Sequence, residues 1–392
     1  MTLKIAILSR NLASYSTERL REACTKAGHR ARVLDTLSFS LVVKTEGPEL
    51  FYRDRPLDGI DAVIPRIGAS VSLFGTAVVR QFEQMGVFTL NSAHAINASR
   101  DKLRALQILS RHRIGVPPTA FVFDRGGVRA AVEHVGGAPV VIKLIEGSHG
   151  AGVILADTPR VAEAILETLL LARQSAVVQR FVRESRGRDL RAFVVGDRVV
   201  AAMQRRAAPG EYRSNVHRGG RTEPARLGDA LERTAIQAAQ ILGLRVAGVD
   251  LIESDDGPLV LEVNSSPGLE GIENATDVDV AAAIVEHLEQ QMPFPELDVR
   301  QRLGAASGYG VVELVVRDGS ELSARPLAEA RLTQQGVQVL SVARHGRAVP
   351  NPREDFVVEP GDALLCFGPH EALRRLLCAA RPSSAPPLPE RE

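Results

Sequence analysis

The stretch VAGVDLIESDDGPLVLEVNSSPG, residues 246–268, decides the reading of the chain. Two apolar runs flank Asp255-Asp256-Gly257, a loop whose final glycine suits a left-handed, bulge-forming turn, so the spacing predicts an antiparallel hairpin. Pairing Ser254 with Pro258 sets Asp250 directly opposite Glu262, and Asn264, two residues on, shares their face. Two carboxylates facing each other across a ladder repel unless something neutralises them. Two acids and an amide form the oxygen-rich set that magnesium accepts, with phosphate oxygens and waters completing an octahedron. The alternative is neutralisation by nearby arginines. Apolar neighbours make an idle acidic pair costly, which favours the metal.

Upstream, the segment from Arg180 to Arg226 holds twelve arginines and no lysine against five acidic residues, an excess of +7 in a chain whose net charge is +1. Such a field attracts anions. Arginine rather than lysine favours bidentate contacts to phosphate or carboxylate. The strands expected at 189–195 and 198–206 are joined by Gly196-Asp197, a second hairpin signal. Farther upstream, the strand APVVIK (138–143) ends in Lys143 and enters a glycine-rich loop, EGSHGAGV (146–153), where Gly147, Gly150 and Gly152 would let backbone N–H groups close on phosphate. Alone this signal is weak. No Walker pattern occurs, and no G-x-G-x-x-G follows the first strand.

At the N-terminus, LKIAIL (3–8), a helix near 16–27 stopping at Gly28, strands near 31–34 and 61–64 and a helix near 75–85 give the rhythm of a mostly parallel α/β domain. A helix at 101–113 carries Lys102. Helices at 229–242 and 278–290 complete the middle region. Beyond it come a strand at 311–316, a helix near 327–335, strands at 337–343 and 362–367 and a helix at 370–379, followed by a proline-rich tail expected to be disordered. The expected divisions are an N-terminal α/β domain over 1–97, a nucleotide-binding region over 98–291, a linker over 292–308, a small α+β domain over 309–380 and the tail over 381–392.

The ordered set of lysine-bearing helix, strand lysine, glycine loop, Arg-rich strands and D…E-x-N resembles the ATP-grasp superfamily. More narrowly, KIAILSR (4–10), DAVIPRIG (61–68), RDKLR (100–104), GGAPVVIK (136–143), RSNVHRGG (213–220), VAGVD (246–250) and LEVNSSPGLEGIE (261–273) resemble the RimK family, glutamate ligases acting on small-subunit ribosomal protein six. The resemblance implies an ATP-grasp fold behind a pre-ATP-grasp domain. It implies ATP contacts at Lys102, Lys143, Gly150, Gln179, Arg180, Phe181, Asp189, Arg213, Ser214 and Asn215, and metal ligands Asp250, Glu262 and Asn264 holding two ions of magnesium, or of manganese. Arg191, Arg205 and Arg213 are the expected catalytic cations. The family's hinge usually reads Gln-Glu-aromatic; here it is Gln179-Arg180-Phe181. GSELSARPLAEARL (319–332), VLSVARHGRAVPNP (339–352) and VVEPGDALLCFGP (357–369) resemble the TrkA-C domain, which implies a homo-oligomer, dimer or tetramer, or a small-molecule effector site.

Expected partners are glutamate and the acidic C-terminal tail of a ribosomal protein. Rival readings are a sibling ligase acting on a carrier protein, a cofactor or a small acid, and a non-catalytic nucleotide sensor. Direct nucleic-acid binding is not expected, since only Phe181, Phe193 and Tyr212 could stack on bases in the Arg-rich stretch. Three scattered cysteines, Cys24, Cys366 and Cys378, suggest neither a disulfide framework nor a zinc site. No apolar run is long enough to cross a bilayer and the first residues lack a secretory layout, so the cytoplasm is the expected location.

Overall fold

Ile5 to Ser9 are buried without a break, as in a strand covered on both faces, and the strand Lys4–Ser9 is indeed central in a parallel sheet. The computed structural model describes residues 2–144, 152–208, 211, 220–292, 308–344 and 347–379, which fall into two units, Met1–Glu296 and Leu297–Glu392. The expected linker and tail lie almost wholly outside the described residues.

The first unit opens with four parallel strands in the order Arg30–Leu34, Lys4–Ser9, Ala62–Arg66, Phe88–Thr89. The helix Tyr15–Lys26 stops where the sequence predicts: Gly28 takes φ 82°, its N–H bonds the Thr25 carbonyl, and the His29 N–H bonds the Cys24 carbonyl. This pair of bonds satisfies the last carbonyls, and glycine takes the left-handed position without a Cβ clash. A three-stranded meander, Phe39–Lys44, Gly47–Tyr52 and Arg55–Pro56, was not legible in the sequence. Its strands lack a clean buried alternation.

Two antiparallel sheets follow. One runs in the order Val153–Ala156, Val140–Leu144, Ala176–Arg180, Thr119–Val122. The helices Val128–His134 and Pro159–Leu171 pack on the face bearing Val140, Ile142 and Val178, which leaves Lys143 and Gln179 on the other. The second sheet has the order Arg221–Pro224, Arg198–Arg206, Arg188–Val195, Val246–Ser254, Gly257–Asn264. Leu190, Ala192, Val249 and Leu251 face Ala235, Ala238 and Ala239 of the helix Asp229–Ile241. Phe193 and Met203 face the opposite way and share a core with Ile5 and Ile7 of the N-terminal sheet.

Buried Asn91 holds the N-terminal part against this second sheet. Its Nδ2 donates to the carbonyls of Val246 and Ser265, and its Oδ1 accepts from the N–H groups of Arg245 and Val246. Arg19 reaches Glu273 and Asp279, so part of the LEVNSSPGLEGIE segment serves as a dock for the helix Tyr15–Lys26.

In the second unit, antiparallel strands run in the order Tyr309–Val315, Ala363–Pro369, Gln338–Arg344, Arg347–Pro350, with the helix His370–Ala379 packed against them. The helix expected near 327–335 is instead two 3-10 turns, Leu327–Ala330 and Thr333–Gln335. Arg331 adopts φ 47° and Gly336 φ 73°, and a left-handed residue at each end prevents continuation into an α-helix.

Candidate active site

The hairpin forms as expected, but its tip closes differently. Ser254 pairs with Gly257 and Glu253 with Pro258, one residue away from the Ser254–Pro258 pairing read from the sequence. A bulge between Asp250 and Leu251 absorbs the offset, so Asp250 still lies opposite Glu262. The extra residue on the second strand lets Val260 and Val263 both face the helix Asp229–Ile241 while Glu262 turns to the other side.

Asp250 is buried and tied to arginine. Arg191, directly across the ladder, donates Nε and Nη2 to its two oxygens at 2.7 and 2.8 Å, and Arg205 Nη2 reaches Oδ2 at 3.0 Å. Arg205 Nε also donates to Asp189 Oδ1 at 2.6 Å. Burial alone would raise the Asp250 pKa, but the two guanidinium groups outweigh it and hold the carboxyl at about 2. Neutralisation by arginine, the alternative weighed from the sequence, is thus present at Asp250.

Glu262 behaves differently. It is exposed and has no ion pair among the described residues, and half-buried Asn264 lies two residues on. Three cations feel its charge: Lys143, Lys102 and Arg100. Lys143 Nζ donates to Gln179 Oε1 at 2.7 Å, and Lys102 Nζ to the Leu144 carbonyl at 3.1 Å. Asp101 caps the helix Lys102–Arg111 by accepting from the Arg104 N–H, which sets Lys102 in the first turn. Burial lowers the Lys143 pKa to about 8 despite the pull of Glu262, and burial also lowers that of Lys102.

Among the hinge residues, Gln179 is buried and bridges Lys143 and Thr119. The N–H groups of Arg180 and Phe181 are bonded to the Pro118 and Pro139 carbonyls, so they are occupied within the sheet. Arg180 points toward Asp256 of the hairpin tip at 3.8 Å. Gly150, Arg213, Ser214 and Asn215 lie outside the described residues. At the end of the glycine loop, Gly152 has φ 74°, and a Cβ there would sit 2.7 Å from the Leu144 side chain, so a larger residue could not close the turn.

The structure thus brings Asp189, Arg191, Arg205, Asp250, Glu262 and Asn264 to one sheet, with Lys102 and Lys143 within electrostatic reach of Glu262. Part of the Arg-rich excess is internal, since Arg191 and Arg205 are matched to Asp250 and Asp189. Among the described residues no three His, Cys, Asp or Glu cluster as a metal site. The donor set here would be two carboxylates and an amide oxygen, and hard oxygen ligands with one acid exposed and unpaired suit magnesium. Burial pushes the thiols of Cys24 and Cys366 up to about 12, which makes poor nucleophiles of both. Arg66 and Arg100, quoted in the motifs above but given no role there, stand beside this corner. Their signal was a cation ending an apolar strand, for Arg66, and one just ahead of a lysine-bearing helix, for Arg100.

Comparison with known proteins bears on the whole chain. The RimK PreATP-grasp domain model matches residues 3–96, the RimK-like ATP-grasp domain model residues 99–288, and the TrkA-C domain model residues 311–377. A probable alpha-L-glutamate ligase of Rhodopirellula baltica is 56% identical over 375 residues, covering 96% of this chain and 93% of its own length. Probable alpha-L-glutamate ligase 1 of Hahella chejuensis is 52% identical over 289 residues, 74% of this chain and 95% of that protein. Among solved structures, the ATP-grasp ligase PsnB complexed with a phosphomimetic variant of minimal precursor, Mg and ADP has the same fold, with TM-score 0.58 at 22% identity over 74% of this chain and 99% of that chain. A RimK domain protein ATP-grasp from Sphaerobacter thermophilus gives TM-score 0.55 at 23% identity over 73% and 99%. With a relative more than half identical along nearly its full length and three family domains in the order that its motifs imply, the chain belongs to the RimK-like ATP-grasp ligases, ATP-dependent enzymes, and carries a TrkA-C domain after the ligase region.

Proposed function

We propose that this ligase joins the amino group of glutamate to the C-terminal carboxyl of an acidic protein tail, that of small-subunit ribosomal protein six, through an acyl phosphate. The observation that carries the reading is the exposed, unpaired Glu262 set between Asp250 and Asn264 and facing the cations Lys143, Lys102 and Arg100. The name of the Rhodopirellula relative supports glutamate as the amino acid.

A carboxylate cannot lose oxide to an amine. In the proposed sequence an acceptor carboxylate oxygen attacks the γ-phosphorus of ATP and ADP leaves. The glutamate amine then attacks the acyl carbon, phosphate departs, and the amine gives up a proton. Catalysis of this kind is mostly positioning and charge neutralisation. Lys102 and Lys143 would offset triphosphate charge, while Gly150, Gln179, Arg180, Phe181, Asp189, Ser214 and Asn215 would surround the nucleotide. Magnesium, or manganese in its place, would be held as two ions by Asp250, Glu262 and Asn264 and would neutralise phosphate oxygens. Arg191, Arg205 and Arg213 would stabilise charge on the acyl phosphate and its tetrahedral successor. Arg191 and Arg205 are already aligned by Asp250, so they need little reorganisation.

Incubation with ATP, glutamate and ribosomal protein six, followed by intact mass measurement, tests the reading. A ladder of glutamyl increments on the acceptor is expected; ADP release with no acceptor mass change would remove this acceptor.

Lys143 offers a second check. With its pKa at about 8 in the free protein, a bound triphosphate favours the charged form and raises that value, so nucleotide binding between about pH 8 and 9 takes up a proton. Calorimetric titration in buffers of different ionisation heat reads the uptake, and Lys143→Arg should abolish it.

The TrkA-C domain would support a dimer or tetramer and admit a small effector. A cavity of about 270 Å³ lies among Leu322, Leu327, Leu332 and Val358, with Arg325 and Arg375 also lining it.

A further inference from the structure

Arg66 and Arg100 are left unexplained by the nucleotide and metal assignments. From the central strand Lys4–Ser9 the chain passes first to Arg30–Leu34 on one side and later to Ala62–Arg66 on the other. The direction of winding therefore reverses between Lys4–Ser9 and Ala62–Arg66. In open parallel sheets the crevice beyond the C-terminal ends of two such strands is left uncovered by connections, and ligands bind there. Ser9 and Arg66 are the paired residues at that edge.

On the Ser9 side, the next residue, Arg10, is paired with Asp35 at 2.9 Å. Arg66 has no ion pair among the described residues; its Nη1 donates to the Pro267 carbonyl at 2.7 Å. Arg100, which ends the helix Ala93–Arg100, donates to the Ile67 carbonyl and likewise has no ion pair among the described residues. Both are half-buried. Burial and the nearby Arg100 charge bring the Arg66 guanidinium down to about 10. Burial also lowers Arg100, with Glu262 opposing it. Two neighbouring cations in partial burial, each satisfied only by a carbonyl, are unfavourable unless an anion completes the site. The bonds of Arg66 to the Pro267 carbonyl and of Arg100 to the Ile67 carbonyl hold both guanidinium groups at the end of the strand Ala62–Arg66, so the anion would sit at the strand-end crevice.

We propose that Arg66 and Arg100 form the receptor for a substrate carboxylate, separate from the cations that hold the nucleotide phosphates. The planar donors of guanidinium match a carboxylate two bonds at a time. In the ligase reading Lys102 and Lys143 are given to the triphosphate, which leaves Arg66 and Arg100 for another anion. This inference rests on the ligase reading, in which both non-nucleotide substrates carry carboxylates: free glutamate and the acceptor's chain end.

Calorimetric binding of glutamate, and separately of a peptide ending in the acceptor tail, to the full wild-type, Arg66→Lys, Arg100→Lys and Glu262→Gln chains tests it. Lysine keeps the charge and removes the second donor, and thermal melting confirms that each variant is folded. Arg66→Lys and Arg100→Lys should weaken one of the two ligands by about tenfold or more, with ADP binding unchanged. Weakening confined to glutamate assigns the receptor to the incoming amino acid, and weakening confined to the peptide assigns it to the acceptor. Equal affinities in wild type and both variants, no binding by wild type, or a loss confined to ADP would overturn the inference. The ligase reading fails separately, through undiminished turnover by Glu262→Gln, whatever the arginine variants do.

Discussion

Glu262→Gln should reduce ATP-dependent ligation at least about 100-fold, the loss typical when a group stabilising transition-state charge is removed, while leaving the fold as stable as wild type within about 1 kcal/mol. The two halves of this expectation have one cause. Glu262 is exposed and makes no ion pair among the described residues, so folding does not depend on it. Its charge is instead directed at Lys143, Lys102 and Arg100. The facing acid, Asp250, is already neutralised by Arg191 and Arg205, which leaves the Glu262 carboxylate open to an added cation. Steady-state ADP release and a denaturant melt on the same preparation measure both halves. Full turnover in the glutamine variant would remove Glu262 from the metal set.

Asp250→Asn should instead unfold more easily, by about 3–5 kcal/mol, because removing one member of a buried charge cluster strands its partners. The amide keeps one acceptor oxygen, so Arg191 would lose one of its two bonds together with the opposing charge, whereas Arg205 would keep Asp189. The pH dependence follows from the same contacts. A carboxyl held at about 2 in the fold, against an ordinary value of 3.8, adds stability above pH 3.8 that is lost as pH falls through about 2. Wild type should therefore lose stability between these values, and Asp250→Asn should lack that portion of the loss. Denaturant melts at neutral pH and through the acid range provide the comparison; a variant as stable as wild type at neutral pH would show that the arginines do not depend on Asp250. Because Asp250 serves both the fold and the metal set, Glu262→Gln is the cleaner probe of the metal.

Much of the candidate site was legible because it is local. The two strands of the hairpin are adjacent in sequence, alternation sorts their faces, and Asp250 opposite Glu262 follows from counting. The tip register was read one residue off, and only the bulge beside Leu251 restored the pairing. Weak patterning hides the short meander between Phe39 and Pro56, and φ-positive residues break the turns in the region 327–335. The helix Pro159–Leu171 carries clear signals, a Thr158 cap and a proline in its first turn, yet the reading of the sequence omits it.

The halt of the first helix at Gly28, the hairpin that carries Asp250 and Glu262 and the family motifs are properties of neighbouring residues, and the sequence alone determined them. Which charges are neutralised was decided only by tertiary structure. Arg191 and Asp250 are 59 positions apart, and Asn91 and Val246 are 155 apart. Their meeting depends on the order and register of strands that no local pattern encodes. That long-range pairing leaves Asp250 bound to arginine, Glu262 open, and Arg66 at its strand end bonded to the Pro267 carbonyl, without a carboxylate partner among the described residues.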